Sequence, residues 1–426
     1  MDAEGRPVTE ARIALLGKEA FDPQGKLRPE AVASSPECLR VVVDEPGPAS
    51  PASVTIDAGP SGKSLTLPLD GPPGRRSTPP FLLLGDAEDA AATSVALRTA
   101  PGSRLAVRYK ELPVLEVKVG PSVIHEIPVR FIAVGPGLPA APEFEKALDL
   151  RLKQANAVWE PFGRRLVRAG IGRIETFAGL VLIRGRAAGV DDHGRPSHSG
   201  LRIEGKEVLI PCPWRDDGAP LSPKAAARAL VEKAGRSVRA DLFDGLAGDR
   251  EAVVVRWKRR DGSPAAVEGL SASNDLSQAV SPLRVDLTDG LEVAPSGAAL
   301  SLEETGLLAS GKAGSAEGFD LFVVAGLTSL QSRPAFKVYP EGQFPALVAG
   351  SAAVSWPMLD GSGRYPYALA RLLGELILPA SLRPTSEDTL FADPLSEAPG
   401  VDARKRLSAA TGTRIAERGR GLSGRK

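Results

Sequence analysis

Along residues 1–120 the apolar residues come in short runs, and many of them alternate with polar ones. "ARIALL" (11–16), "LRVVVD" (39–44), "SVTIDA" (53–58), "SLTLPL" (64–69), "FLLLG" (81–85), "SVALRT" (94–99), "RLAVRY" (104–109) and "LEVKVG" (115–120) all fit the description. A period of two is that of a strand with one buried face. Stretches rich in Pro, Gly and Ser, such as "DEPGPASPAS" (44–53) and "DGPPGRRSTPP" (70–80), punctuate the runs. Roughly eight strands at this spacing predict a β-sandwich over residues 1–120.

The pattern changes after Gly120. "IPVRFIAV" (127–134) is almost continuously apolar, as a doubly covered strand is. In "APEFEKALDLRLKQANAVWEPFG" (141–163), Phe144, Leu148, Leu152, Ala155 and Trp159 fall on one helical face. Pro142 is tolerated in the first turn, and Pro161 and Gly163 end the helix. Strands at 171–177 and 180–185 follow, so an α/β domain is predicted over 121–400.

Residues 199–300 read as an insertion of α+β character. It holds a strand or hairpin at 200–211 and a helix from the Ser222-Pro223 start to about Glu232. A hairpin spans 251–273, turning at Asp261-Gly262, and strand character continues at 282–293. Ser301 and Glu304 have capping-box spacing. "FDLFVVAGL" (319–327) and "AAVSWPML" (352–359) are buried-strand candidates. Then comes "YPYALARLLGELILPASLRP" (365–384), in which Leu369, Leu372, Leu373, Leu376 and Ile377 form a helical stripe. Residues 401–426 are basic and Gly/Ser-rich, the composition of a disordered tail. The fold class is thus multidomain α+β.

Composition narrows the function. A chain of 426 residues implies two or three domains. The net charge of +1 supplies no bulk attraction to nucleic acid or membrane. Cys38 and Cys212, the two cysteines, do not make a disulfide framework. No apolar run is long enough to span a bilayer. No signal peptide is visible in "MDAEGRPVTEARIALLG", which predicts a cytoplasmic protein or one exported without such a signal.

Little conventional chemistry is in sight. "GPSGKS" (59–64) lacks the first glycine of a phosphate-binding loop, with Asp57 in its place, and it joins two strands. "DDHGRPSH" (191–198) puts Asp191, His193 and His198 together, a metal-ligand set by residue type but spaced by loop residues. "RWKRRDG" (256–262) is a basic hairpin segment with one Trp, able to meet phosphates or an acidic protein surface. Arg371 and Glu375 are four apart and share a helix face, as a simple surface ion pair would.

The order of elements over about 125–400 resembles the zincin metallopeptidases, especially the metzincin-like branch. In that family a strand leads into a long helix, matched here by "QANAVWEPFG" (154–163). Further strands then precede an active-site helix of the form L-A-H-E-L-G-H, with two zinc-binding His and a Glu that activates the metal-bound water. Here the frame reads "LARLLGE" (369–375). Leu369, Ala370, Leu373 and Gly374 match. Arg371 and Glu375 stand at the ligand positions and Leu372 at the general-base position. Ser381 falls where the extended motif has its third ligand, and Phe391 where a Met lies beneath the metal.

The resemblance implies a degenerate member: a pseudo-metallopeptidase with no catalytic residue, no cofactor and no bound metal. Its role would be protein binding or structural, in a larger assembly such as a secretion or phage-tail-like particle. The first strand, in "DAEGRPVTEARIALLG" (2–17), resembles that of Ig-like or carboxypeptidase-regulatory modules. Two alternatives stay open. One is an active metal-dependent hydrolase with ligands from Asp191, His193 and His198. The other is nucleic-acid binding through the basic hairpin and tail.

Overall fold

The computed structural model describes residues 12–16, 32–33, 37–46, 51–59, 64–79, 81–84, 96–120, 124–160, 164–175, 177–184, 198–211, 222–244, 252–270, 280–294, 300–311, 318–328, 336–339, 350–360 and 365–377. The chain divides into two compact units. One comprises Met1–Pro128, Lys146–Arg168 and Gly361–Lys426, the other Val129–Glu145 and Ala169–Asp360.

Ten described strands belong to the first unit: β1 (Arg12–Leu16), β2 (Val32–Ala33), β3 (Glu37–Glu45), β4 (Ser53–Asp57), β5 (Ser64–Pro68), β6 (Gly74–Ser77), β7 (Phe81–Leu84), β8 (Ala96–Arg98), β9 (Arg104–Arg108) and β10 (Leu115–Val119). They make two sheets, ordered β1-β3-β7-β8 with β6 also on β3, and β2-β10-β9-β4-β5. The alternation read in the sequence is the alternation of burial. Val41, Val43, Phe81 and Leu83 from one sheet share a core with Val54, Ile56, Leu105, Val107 and Val117 from the other. A polar knot ties the layers together. Glu45, at the end of β3, accepts from the Arg76 guanidinium (2.6 Å), the Tyr109 hydroxyl (2.6 Å) and the Lys110 ammonium (2.5 Å). The Lys110 bond, then the Tyr109 bond, hold the Glu45 carboxyl below its ordinary value.

Further along the chain lie β11 (His125–Val134), α1 (Ala141–Trp159), β12 (Arg164–Ile174), β13 (Leu180–Arg184), β14 (His198–Ile203), β15 (Lys206–Pro211), α2 (Pro223–Ala234), β16 (Val238–Asp244), β17 (Ala252–Arg259), β18 (Val267–Gly269), β19 (Val280–Pro282), α3 (Leu302–Gly311), β20 (Phe319–Val324), β21 (Phe336–Tyr339), β22 (Ser351–Ser355) and α4 (Ala368–Ile377). A five-stranded sheet has the order β12-β11-β20-β22-β21. In it β11, β20 and β22 run parallel, and β21 is antiparallel to β22. Arg130 and Asp320, register partners on β11 and β20, form a two-bonded ion pair at 2.8 and 2.6 Å.

The α1 stripe is buried as expected. Within this helix the Asn156 amide clamps Leu166 of β12, accepting from its N–H at 2.7 Å and donating to its carbonyl at 2.9 Å.

A second sheet, β16-β17-β13-β19, is covered on both faces. Leu180, Leu182 and Val254 share a core with Leu307 and Leu308 of α3. The intervening Val181, Ile183, Val253, Val255 and Trp257 pack with Ala227 and Leu230 of α2. That is why "LVLI" and "AVVV" carry no polar alternation. Helix α2 starts as its sequence implies, the Ser222 side chain accepting from Ala225 N–H and Pro223 in the first turn.

The molecule departs from the sequence reading in several places. Strand β22 ends at Ser355 and Trp356–Met358 form a 3-10 turn opened by Pro357, and β6 lies inside the separator 70–80. Residues 283–290 are not strand: the Asp286 side chain turns back on Thr288 N–H and Oγ1, closing an Asx turn. The 251–273 hairpin is brief. Its turn at Asp261-Gly262 closes with Arg259 N–H on the Ser263 carbonyl (2.7 Å), but β18 then joins β14, because β13 and β16 already flank β17. The strand before β13 begins at Arg164 and ends at Ile174 rather than occupying 171–177. Overall the described chain is mixed α and β, and no described helix is long and apolar enough to cross a membrane.

Candidate functional site

Helix α4 carries "LARLLGE" (369–375), the segment on which the metallopeptidase resemblance rests. Its leucines drive it: Leu369, Leu372, Leu373 and Leu376 are buried, with Ala368 and Ala370 beside them. Over Ala368–Leu376 burial runs almost around the helix and breaks only along the line of Arg371 and Glu375, 21% and 32% exposed. There the Arg371 Nε donates to Glu375 Oε1 at 2.8 Å.

The chemistry of each position that the resemblance singles out is defined by its side chain. Arg371 is a permanent cation with donors only, so it cannot ligate a metal. The one potential ligand among them, Glu375, is engaged by that guanidinium. Leu372, where the resemblance would put a general base, is 1% exposed and has no group that can take a proton. A catalytic zinc site needs three ligating side chains. The residues present do not fit that ion, and no metal-dependent step is assigned to them.

Ser381 and Phe391 lie outside the described residues, as do Asp191 and His193. His198 opens β14 with its backbone opposite Pro211, and its side chain is outside the description. Among the described residues no group of three or more His, Cys, Asp or Glu side chains is placed to hold a metal ion. Gly59 follows β4 and Ser64 opens β5, its antiparallel partner, so "GPSGKS" connects two strands as its sequence implies. The tryptophan of the basic hairpin, Trp257, is 1% exposed and packs in the core with α2, so it offers no platform for stacking a base.

A second polar constellation escaped the sequence reading. Glu304 is completely buried at the start of α3. The capping box is formed: Ser301 Oγ accepts from Glu304 N–H (3.0 Å), and Glu304 Oε2 accepts from Ser301 N–H (2.7 Å). The same Oε2 also accepts from Ala294 N–H (2.8 Å). Its other oxygen accepts from the Tyr339 hydroxyl (2.8 Å) and the Lys337 ammonium (2.7 Å). Burial first, and the Glu304 charge second, push the Tyr339 hydroxyl well above the ordinary phenol value. Neighbouring Glu303 is raised, chiefly by burial, although Glu292 N–H donates to it at 2.6 Å. The capping spacing was the only signal of this network in the sequence. Lys337 and Tyr339 share a strand face, but nothing local says that α3 lies beneath them.

Comparison with family models and with curated proteins finds no match to this chain.

Proposed function

We propose that this protein is a non-catalytic binding or structural component, built on a metallopeptidase-like frame whose metal-gripping positions hold an arginine–glutamate pair. The observation that carries the reading is that pair: Arg371 and Glu375, joined at 2.8 Å, flank a buried Leu372. The element order is in keeping with it. Strand β11 leads into the long helix α1, then β12, then β20 to β22, and helix α4 follows the last strand. The two-layered N-terminal region would be an Ig-like sandwich attached to that frame. With a leucine at the base position and no set of three ligands on α4, recognition of another protein is the role such a frame would serve.

The test has two arms. Purified protein is analysed for bound metal and assayed for casein cleavage with and without a chelator. The expected result is no stoichiometric zinc and no chelator-sensitive cleavage; tightly held zinc with such cleavage overturns the proposal. In the second arm, R371H, E375H and S381H are combined to supply three imidazoles. Zinc uptake by the triple variant and not by the parent supports the frame, and failure to bind zinc in a folded variant counts against it.

A further inference from the structure

The end of the β16–β17 ladder carries an unusual concentration of like charge. Arg239 of β16 and Lys258 of β17 are direct register partners, and Asp241 with Arg256 is the next pair but one on the same face. Like charges placed opposite each other across a sheet are locally unfavourable. Arg260 continues that face beyond β17, and its Nε donates to the Arg236 carbonyl at 3.1 Å. That bond joins the turn after α2 to the turn after β17. Lys233, Arg236, Arg239 and Arg260 are exposed. Asp241 bonds to Lys258 and offsets one charge, and Asp261 is occupied by its own turn with Ser263. A cation excess remains.

Local structure accounts for part of this. Lys233 and Arg236 complement the C-terminal end of α2, and Arg256 donates to the Ser310 carbonyl near the end of α3 (2.9 Å). It does not account for Arg239 facing Lys258 with Arg260 alongside.

We propose that this basic corner, centred on Arg236, Arg239 and Arg260, docks a carboxylate-rich surface of a partner protein. The inference rests on the binding role proposed above. Three features select that partner. Among the described residues no aromatic side chain is exposed in the corner, so stacked bases have nothing there to rest on. The interspersed Asp241 and Asp261 would repel a continuous polyphosphate but can be matched by a protein surface of mixed sign. The dominant cations are arginines, whose planar fork pairs with carboxylates two bonds at a time. The chain's own segment 404–426 is basic and is excluded as the occupant by charge.

The experiment is fluorescence anisotropy with a labelled acidic peptide of mixed sign, three repeats of Glu-Glu-Lys-Glu, on the full chain, at low ionic strength and again near physiological salt. A DNA duplex and phosphatidylserine vesicles of matched charge are the competing probes. Binding of the mixed-sign peptide ahead of both is expected. R239E/R260E should weaken it about tenfold, equivalent to about 1.4 kcal/mol, while R228E on the exposed side of α2 leaves it unchanged. Circular dichroism checks that each variant is folded. Equal binding by the double variant, or preference for duplex or vesicle, overturns the proposal. This outcome is independent of the zinc and casein results, so the two readings can fail separately.

Discussion

Removing the buried carboxylate of Glu304 is the most informative single perturbation of the second unit. The substitution E304A deletes the acceptor for four donors: the N–H groups of Ser301 and Ala294, the Tyr339 hydroxyl and the Lys337 ammonium. Losing the partner of a buried charge costs about 3–5 kcal/mol. The low end applies here, because Lys337 is 15% exposed and can recover some water. The orphaned hydroxyl adds about 1 kcal/mol and the broken capping box about another 1 kcal/mol. The total, near 5 kcal/mol, is comparable with the whole stability of a typical domain at about 5–15 kcal/mol. Y339F removes one bond and leaves the charge paired, so it should cost only about 1 kcal/mol. Urea unfolding followed by tryptophan fluorescence and circular dichroism measures both, with midpoints read for every transition resolved. The two transitions of a two-unit chain are then assigned by which one E304A moves. An E304A variant within about 1 kcal/mol of the parent would refute the reasoning, because it would mean that the four donors find other acceptors.

Two further outcomes follow from the same unit. The folded state keeps a proton on Tyr339 that the unfolded chain releases near pH 10. Its contribution is therefore complete below that pH and is lost as pH rises toward the elevated folded value. The stability difference between parent and Y339F should shrink from about pH 9 to 11; a constant difference would show that the hydroxyl does not titrate differently on folding. Gly179 has φ +76°, and a Cβ there would sit 2.4 Å from the Trp257 carbonyl oxygen, a backbone atom that cannot swing away. G179A should cost about 3 kcal/mol or more, read as a lowered thermal midpoint, and an unchanged midpoint would contradict the turn geometry.

What could be read from the sequence was local. The α1 stripe, the Ser222-Pro223 start of α2, the Ser301–Glu304 capping box and the Asp261-Gly262 turn each depend on neighbours a few residues apart, and each is present. The destination of β18 was not legible, because it depends on β17 already having a partner on each side. Residues 283–290 misled through composition: "LRVDLTDG" alternates like a strand, yet the Asp286 side chain captures the backbone first. Helix α4 was legible from its leucines, and its Arg371–Glu375 pair from the spacing of four. Tyr339 and Lys337 reach Glu304 from more than thirty positions away, and no periodicity encodes such a meeting. The Glu45 knot is similar: Arg76, Tyr109 and Lys110 converge on it only because two sheets stack.

The sheet β16-β17-β13-β19 gives its strands two sets of dependants. Val254 leans on one helical layer and Val253 and Val255 on the other. Neither layer can lift away without baring a hydrophobic surface that the opposite layer needs held flat. The middle strands thus act as a shared keel, and damage on either side is felt across the whole body. Tolerance to change in this region should therefore be sought at exposed strand ends such as Arg259, since along β13 and β17 the apolar side chains of neighbouring positions serve opposite layers.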